Sequence, residues 1–300
     1  MPDTLRLKLS RLESVPNDFI DAVVKNQNGI FNDVIADLNK LTIDSSGNIV
    51  MSNENLGLIK TLGRDFEDAI IRSGYGKSVT GFVKEFEVQK DLNNKYFEST
   101  IEGFEPKSNL DALYKVKQEQ AVSLLAETAV SENVTAFEGA LQNAIANSGS
   151  FTDLVKNLQV QIQGNSQIDG GLSRYARQNA RDIYSISERS YTSAVADEFG
   201  IEFYTYAGPT QDTTRPFCDE RVNKVWHMKE IQSWASESWA GKAQGTNKDT
   251  IFSLLGGYQC NHSLIPKGIK DVPINVIERN LASGNIKMED LPESIQNRLK

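Results

Sequence analysis

Gly200-Ile201-Glu202-Phe203-Tyr204-Thr205-Tyr206-Ala207-Gly208-Pro209 is where the grammar of this 300-residue chain changes. Ile201 to Tyr206 alternates with a period of two and is rich in aromatic residues, the pattern of a strand. Gly208-Pro209 ends it. Upstream, apolar residues recur every three or four positions, the period of amphipathic helices. The contrast predicts an α+β fold. An elongated, mainly helical N-terminal region is followed by a small α+β module with a short β-sheet.

Working back from Gly200, residues 172–199 read as one long connecting helix. Gln163-Gly164-Asn165-Ser166 and Asp169-Gly170-Gly171 form the clearest linker ahead of it. Residues 16–165 make up the helical region. Its first helix begins at Asn17, with the pairs Phe19/Val23, Ile20/Val24 and Ile30/Val34, and ends near Leu41. Residues 1–15 read as a flexible arm. Short apolar segments around Ser46-Gly47-Asn48 predict a small hairpin near 42–51. Leu58, Leu62, Phe66 and Ile70 stripe a second helix, broken at 73–76. Further helices are predicted at 77–102, 109–128, 131–147 and 151–163. Ser108-x-x-Asp111 and Ser150-x-x-Asp153 resemble capping boxes with the shorter Asp in place of Glu.

Downstream, Pro216 suits the first turn of a short helix starting at Arg215. Lys224-Val225-Trp226 reads as a short strand, 228–238 as a helix and 240–250 as a polar loop. Gly256-Gly257 is a turn, and no Lys-Ser/Thr follows it, so it is not a phosphate loop. Tyr258 to Ile265 reads as a strand closed by Pro266. The module thus spans 200–268. A short helical tail, 269–300, packs through Ile274, Ile277 and Leu281.

Composition narrows the function classes. A net charge of −8 and a pI near 5.0 disfavour a general nucleic-acid coating role, which needs a basic surface. There is no apolar run of ~18 residues to cross a membrane. The start Met1-Pro2-Asp3-Thr4-Leu5-Arg6 lacks the apolar stretch of a secretory signal, and two cysteines in the chain agree with a reducing compartment. The expectation is a protein made and used in a cytoplasm.

Both cysteines, both histidines and all three tryptophans lie between Cys218 and His262. Cys218, His227, Cys260 and His262 could form a tetrahedral Cys2His2 centre, which implies a structural zinc. Cys260 and His262, two apart in the expected strand, face the same way. Cys218 in the first turn of a helix would be favoured as a thiolate. The same residues also read as plain core packing, as a Cys218–Cys260 disulfide, or as a catalytic Cys218/His262 pair. Asp212, Asp219 and Asn261 are candidates to orient the histidine. No complete catalytic motif is present, so the chain does not read as an enzyme.

Arg174, Arg177 and Arg181 share a face of the long helix. They read either as a contact with DNA or an acidic partner, or as a solvated face paired with Asp169, Asp182 or Glu188. Asp212, Arg215, Asp219 and Arg221 crowd one loop, as an acid/base site or as caps and ion pairs fixing that loop.

The ends of the module carry a resemblance. Asp212-Thr213-Thr214-Arg215-Pro216-Phe217-Cys218, running on to Lys224-Val225-Trp226, resembles the opening signature of the phage Mu F-like minor head proteins. Gly256-Gly257-Tyr258-Gln259-Cys260-Asn261-His262-Ser263-Leu264-Ile265-Pro266 resembles the closing one. Ala176 to Ala194, with Ser187-Glu188-Arg189, is similar to the helix ahead of that module. The resemblance covers about 172–268. Asn261 stands where the family commonly has Arg, and one Cys stands where many relatives have two. The resemblance implies a head-morphogenesis protein of a tailed double-stranded-DNA bacteriophage. It would be assembled in the host cytoplasm, housed in the virion, and associated with the portal and other head proteins, with limited contact to packaged DNA. Two other functions stay open: a zinc-assisted hydrolase or toxin-like effector, and a local DNA-contact protein using the arginine face.

Overall fold

The computed structural model describes residues 3–106 and 108–299. The protein is mainly helical, with one three-stranded antiparallel sheet among the described residues, as the sequence predicts. The helices are α1 (Asp3–Leu38), α2 (Asn53–Arg72), α3 (Tyr75–Thr100), α4 (Ser108–Val122), α5 (Ala129–Ala146), α6 (Phe151–Gln163) and α7 (Gly171–Glu198). The module then adds β1 (Phe203–Ala207), α8 (Pro216–Asp219), β2 (Val225–His227), α9 (Met228–Trp234), α10 (Ile251–Leu254) and β3 (Ser263–Lys267). The tail adds α11 (Ile274–Ala282) and α12 (Glu293–Leu299). No described helix is long and apolar enough to cross a membrane.

The chain forms two compact units that do not follow the expected borders. One comprises Ser14–Val88 and Val116–Ile183. The other comprises the residues up to Glu13, Gln89–Lys115, and everything from Tyr184 onward. The module at 200–268 is therefore part of a larger body that includes the chain's first residues.

In the first unit, Phe66 of α2 meets Phe137 of α5 with ring centroids 4.6 Å apart. The hairpin expected at 42–51 is a turn closed by a single bridge, Ile43 opposite Ile49. Buried Asn55 holds it, accepting from the Thr42 N–H and donating to the carbonyls of Thr42 and Val50. Ser52 and Ser150 cap α2 and α6, each accepting from a backbone N–H three residues on. The Ser108 cap lies outside the described side chains. The expected break between 128 and 131 is absent. A π-helical segment, Ser123–Thr128, carries the chain from α4 into α5. The buried Tyr75 hydroxyl donates to the Leu125 carbonyl within it. Such a segment shifts the ladder to i→i+5 and leaves carbonyls to find other donors.

In the second unit, residues 3–13 of the arm expected at 1–15 are helical instead. The buried stripe Leu5, Lys8, Leu12 is spaced as on one helix face, with a lysine in an apolar slot. That lysine explains the difference: its ammonium is fully buried and sits 2.7 Å from Glu188 Oε1 on α7. Thr192 and Ser263 both donate to the same carboxylate, and Lys8 also donates to Thr192. Burial alone would push the Glu188 carboxyl up. Lys8, Ser263 and Thr192 outweigh it and hold the group below the ordinary carboxylate value.

β1 is central in the sheet order β2-β1-β3. Its two faces serve two cores, because alternate residues point oppositely. Phe203 packs with Val272, Val276, Ile277, Ile286, Leu291 and Ile295 of the tail. Tyr204 and Tyr206 enter a core with both cysteines, Phe217, Trp234 and Phe252. β3 starts later than predicted, at Ser263, and Pro266 lies inside it opposite Tyr204 rather than closing it. Proline is tolerated there because β3 is an edge strand.

Removing one partner of a buried ion pair strands the other, whereas replacing both is far milder. Lys8→Met is expected to lower stability by about 3–5 kcal/mol, and Lys8→Met/Glu188→Leu to regain most of it. Because the folded Glu188 value is depressed, its contribution is complete above the unfolded glutamate value of about 4.3 and is lost as pH falls below that. Denaturant titrations at pH 7 and pH 4 check both statements, with the pH dependence reduced in the double variant. A Lys8→Met loss below ~1 kcal/mol would mean the pair is not the anchor described.

Candidate functional site

Cys218, Cys260 and His262 converge. All three are buried, and one ligand-capable atom from each lies within 4.8 Å of the others. Cys260 Sγ is 3.7 Å from His262 Nδ1. Both cysteines are free thiols.

Cys218 arrives on α8, a four-residue helix with Pro216 at its start. Phe217 on the same turn stacks on Trp239, centroids 4.0 Å apart and planes 17° apart. Arg221 closes this corner. Its guanidinium lies 4.0 Å from the Phe217 ring centre and forms a two-pronged contact to Glu237 at 2.9 and 2.7 Å. The Trp226 indole donates to the Arg221 carbonyl, and the Trp239 indole to the Gly256 carbonyl. Arg215 immediately precedes α8, and its guanidinium donates to the Tyr258 carbonyl. The crowded loop is thus fixed by its two arginines, while Asp212 and Asp219 are solvent-exposed and do not join the buried cluster.

Cys260 and His262 come from irregular chain rather than from the strand expected at 258–265. Tyr258 is half exposed, so it does not share a buried face with them. Leu255 and Gln259 have φ of +44° and +57°, a region non-glycine residues rarely occupy. Each such position costs on the order of 1–3 kcal/mol and persists only where its surroundings dictate it. Arg189 of α7 supplies that constraint. Its Nε donates to the His262 carbonyl at 2.9 Å, one terminal nitrogen to the Ser253 carbonyl at 2.9 Å, and the other to the Cys260 carbonyl. Gly256 is required by space. A Cβ there would sit 2.5 Å from Cys218 Sγ and 2.8 Å from Cys260 Sγ.

The two sulfurs are pushed in opposite directions. Cys260 accepts a hydrogen bond from Cys218 and lies near the Arg189 and His262 side chains, which together hold it well below the ordinary thiol value. Cys218, donating that bond and buried, is held well above it. The expectation that the helix start would favour a Cys218 thiolate is therefore reversed. A single turn of helix contributes less than a guanidinium beside the other sulfur.

His227 does not join the cluster. It lies opposite Phe203 in the β1–β2 register, on the other face of the sheet. Its Nδ1 accepts from the Lys229 N–H, its own N–H donates to Glu230, and its Nε2 lies 3.5 Å from Glu202. It is a helix cap, not a fourth ligand. Burial lowers its pKa despite the Glu202 carboxylate. In the other unit, Arg177 pairs with Asp169 at 3.0 Å and Arg181 donates to Asn17 at 2.9 Å, while Arg174 is exposed. Two of those three arginines thus have local partners.

The sequence reading did not single out Tyr206 or assign Arg189 a role. Tyr206 is fully buried, its ring 5.2 Å from that of His262 and 6.0 Å from that of Trp234. Its hydroxyl lies against the Cys218 thiol and has no oxygen or nitrogen partner among the described residues. The only sequence signals were its place on a strand and the coincidence of Arg189 with the family-like helix.

No family model, curated protein or solved structure matches this chain. Cys218, from 212–226, meets Cys260 and His262, from 256–266.

Two substitutions test this geometry by chemical denaturation. Gly256→Ala forces both sulfurs to move and is expected to destabilise by about 1–3 kcal/mol. Arg189→Met leaves three carbonyls without their donor and is expected to cost on the order of 3 kcal/mol or more. A neutral Gly256→Ala would contradict the close approach of the two sulfurs to that backbone.

Proposed function

We propose that this chain is a structural assembly protein of a tailed-bacteriophage head: a minor head protein that docks on the portal or inner shell and assists head morphogenesis or DNA delivery. On this reading it is assembled in the host cytoplasm and resides within the virion. The family-like segments at 172–268 motivate the assignment. The observation that carries the structural reading over a hydrolytic one is burial. Cys218 and Cys260 are 2% exposed and His262 is 4% exposed, beneath a buried arginine that grips the backbone of two of them. A nucleophile must meet substrate, whereas a clamp that fixes a recognition surface must not. The net charge of −8 supports a protein partner over a broad DNA contact.

Co-expression of the full chain with the portal ring encoded in its own genome tests the proposal. The chain is expected to co-sediment with the ring in few copies, and Arg189→Met to reduce incorporation in step with its loss of folding. A chain that sediments alone under all assembly conditions, or a source genome without a portal-type ring, would overturn it.

A further inference from the structure

We infer that Cys218, Cys260, His262 and Tyr206 form a four-donor site for one thiophilic divalent cation of the zinc type, with the Tyr206 phenol oxygen in the position the sequence assigned to His227. This inference rests on the reading of the module as a rigid structural knob and names what closes it.

The spacing is the first support. Zinc–sulfur bonds of about 2.3 Å and zinc–nitrogen bonds of about 2.0 Å in a tetrahedron set ligand atoms roughly 3.5–3.8 Å apart. Cys260 Sγ and His262 Nδ1 stand at 3.7 Å, and the whole triad falls within 4.8 Å. A contraction of about 1 Å or less would bring the set to bonding geometry.

Tyr206 is the second and independent support. A buried phenol normally finds a hydrogen-bond partner. The Tyr206 hydroxyl is fully buried, meets only the Cys218 thiol, a weak hydrogen-bonding group, and has no oxygen or nitrogen partner among the described residues. A buried oxygen set against one ligand sulfur, on a ring 5.2 Å from that of His262 and without an oxygen or nitrogen partner, stands where a fourth donor is needed. His227 cannot serve, because it is committed to capping α9 on the opposite sheet face.

Charge is the third. Arg189 is buried, donates only to carbonyls, and has no carboxylate within ion-pair distance among the described residues. A divalent cation with two thiolates, one phenolate and a neutral imidazole carries one net negative charge, which offsets this guanidinium. Binding releases the protons of the two thiols and the phenol to solvent, so no oxidant or reductant is involved. Gly256 leaves the sulfurs room to adjust, since no side chain presses on them there.

The test is titration of the full chain, stripped by a chelator, with Co²⁺ alone. The expected result is one ion per chain. Thiolate-to-cobalt charge-transfer absorption and intense visible bands of a tetrahedral site should appear, and Zn²⁺ should displace them. His227→Ala is expected to bind as the wild type. Tyr206→Phe, checked for folding by circular dichroism, is expected to weaken binding by about tenfold or more and to alter the visible bands. A folded wild-type chain that takes up no cobalt overturns the site. Unchanged affinity and spectrum in Tyr206→Phe overturn the fourth ligand. Loss of binding in His227→Ala contradicts the donor set. Because these readouts need no portal, a chain that binds metal as described yet ignores the portal overturns the assembly reading and leaves the site standing. A chain that joins the portal without binding metal does the reverse.

Discussion

The Arg189 guanidinium is buried, and its donors end on three carbonyls of α10 and the irregular chain that follows it, those of Ser253, Cys260 and His262. Everything distinctive about the module follows from that contact. A segment with left-handed backbone at Leu255 and Gln259 has no ladder of its own to hold it. Buried carbonyls without donors would each cost about 1–3 kcal/mol, so one planar cation that satisfies three of them fixes the segment's path. With that path set, Cys260 and His262 face Cys218, and the strand that follows can pair with β1 in register. One residue earlier on the same helix, Glu188 binds Lys8, Thr192 and Ser263. Two adjacent charges on α7 thus tie together the chain's first helix, the start of β3 and the cysteine-bearing loop.

β1 adds a second constraint. Its strict alternation sends Phe203 to the tail core and Tyr204 and Tyr206 to the aromatic core. A shift of one residue in register would exchange these faces and place Tyr206 away from the thiols. The tail helices are therefore part of what holds the site, because they cover the face of β1 that Phe203 presents.

Much of this was legible in the sequence. Helical periodicity marked α2, α3, α6 and α7 within a few residues, and the change of period at Gly200 marked the start of the sheet. The clustering of cysteines and histidines located the site. The errors have physical causes. Lys8 occupies an apolar slot, so the helical stripe of residues 5–15 reads as interrupted, and only its distant partner Glu188 explains it. Tyr258-Gln259-Cys260-Asn261-His262 alternates like a strand, but Arg189 withdraws its carbonyls from any ladder. His227 has the chemistry of a ligand, yet strand register places it on the wrong face. In each case a long-range polar contact or a register, neither visible in local pattern, decides the outcome.

The central claim is that this irregular segment is as fixed as the sheet it feeds. Amide hydrogen exchange on the native chain measures that directly, comparing residues 253–263 with β1. The account predicts that the slowest amides of the segment, such as those of Gly257 and Cys260, which bond to carbonyls inside it, open with the same free energy as those of Phe203 to Ala207. Rapid exchange through 253–263 while β1 stays protected would contradict it, and would mean that Arg189 does not hold the loop that carries the site.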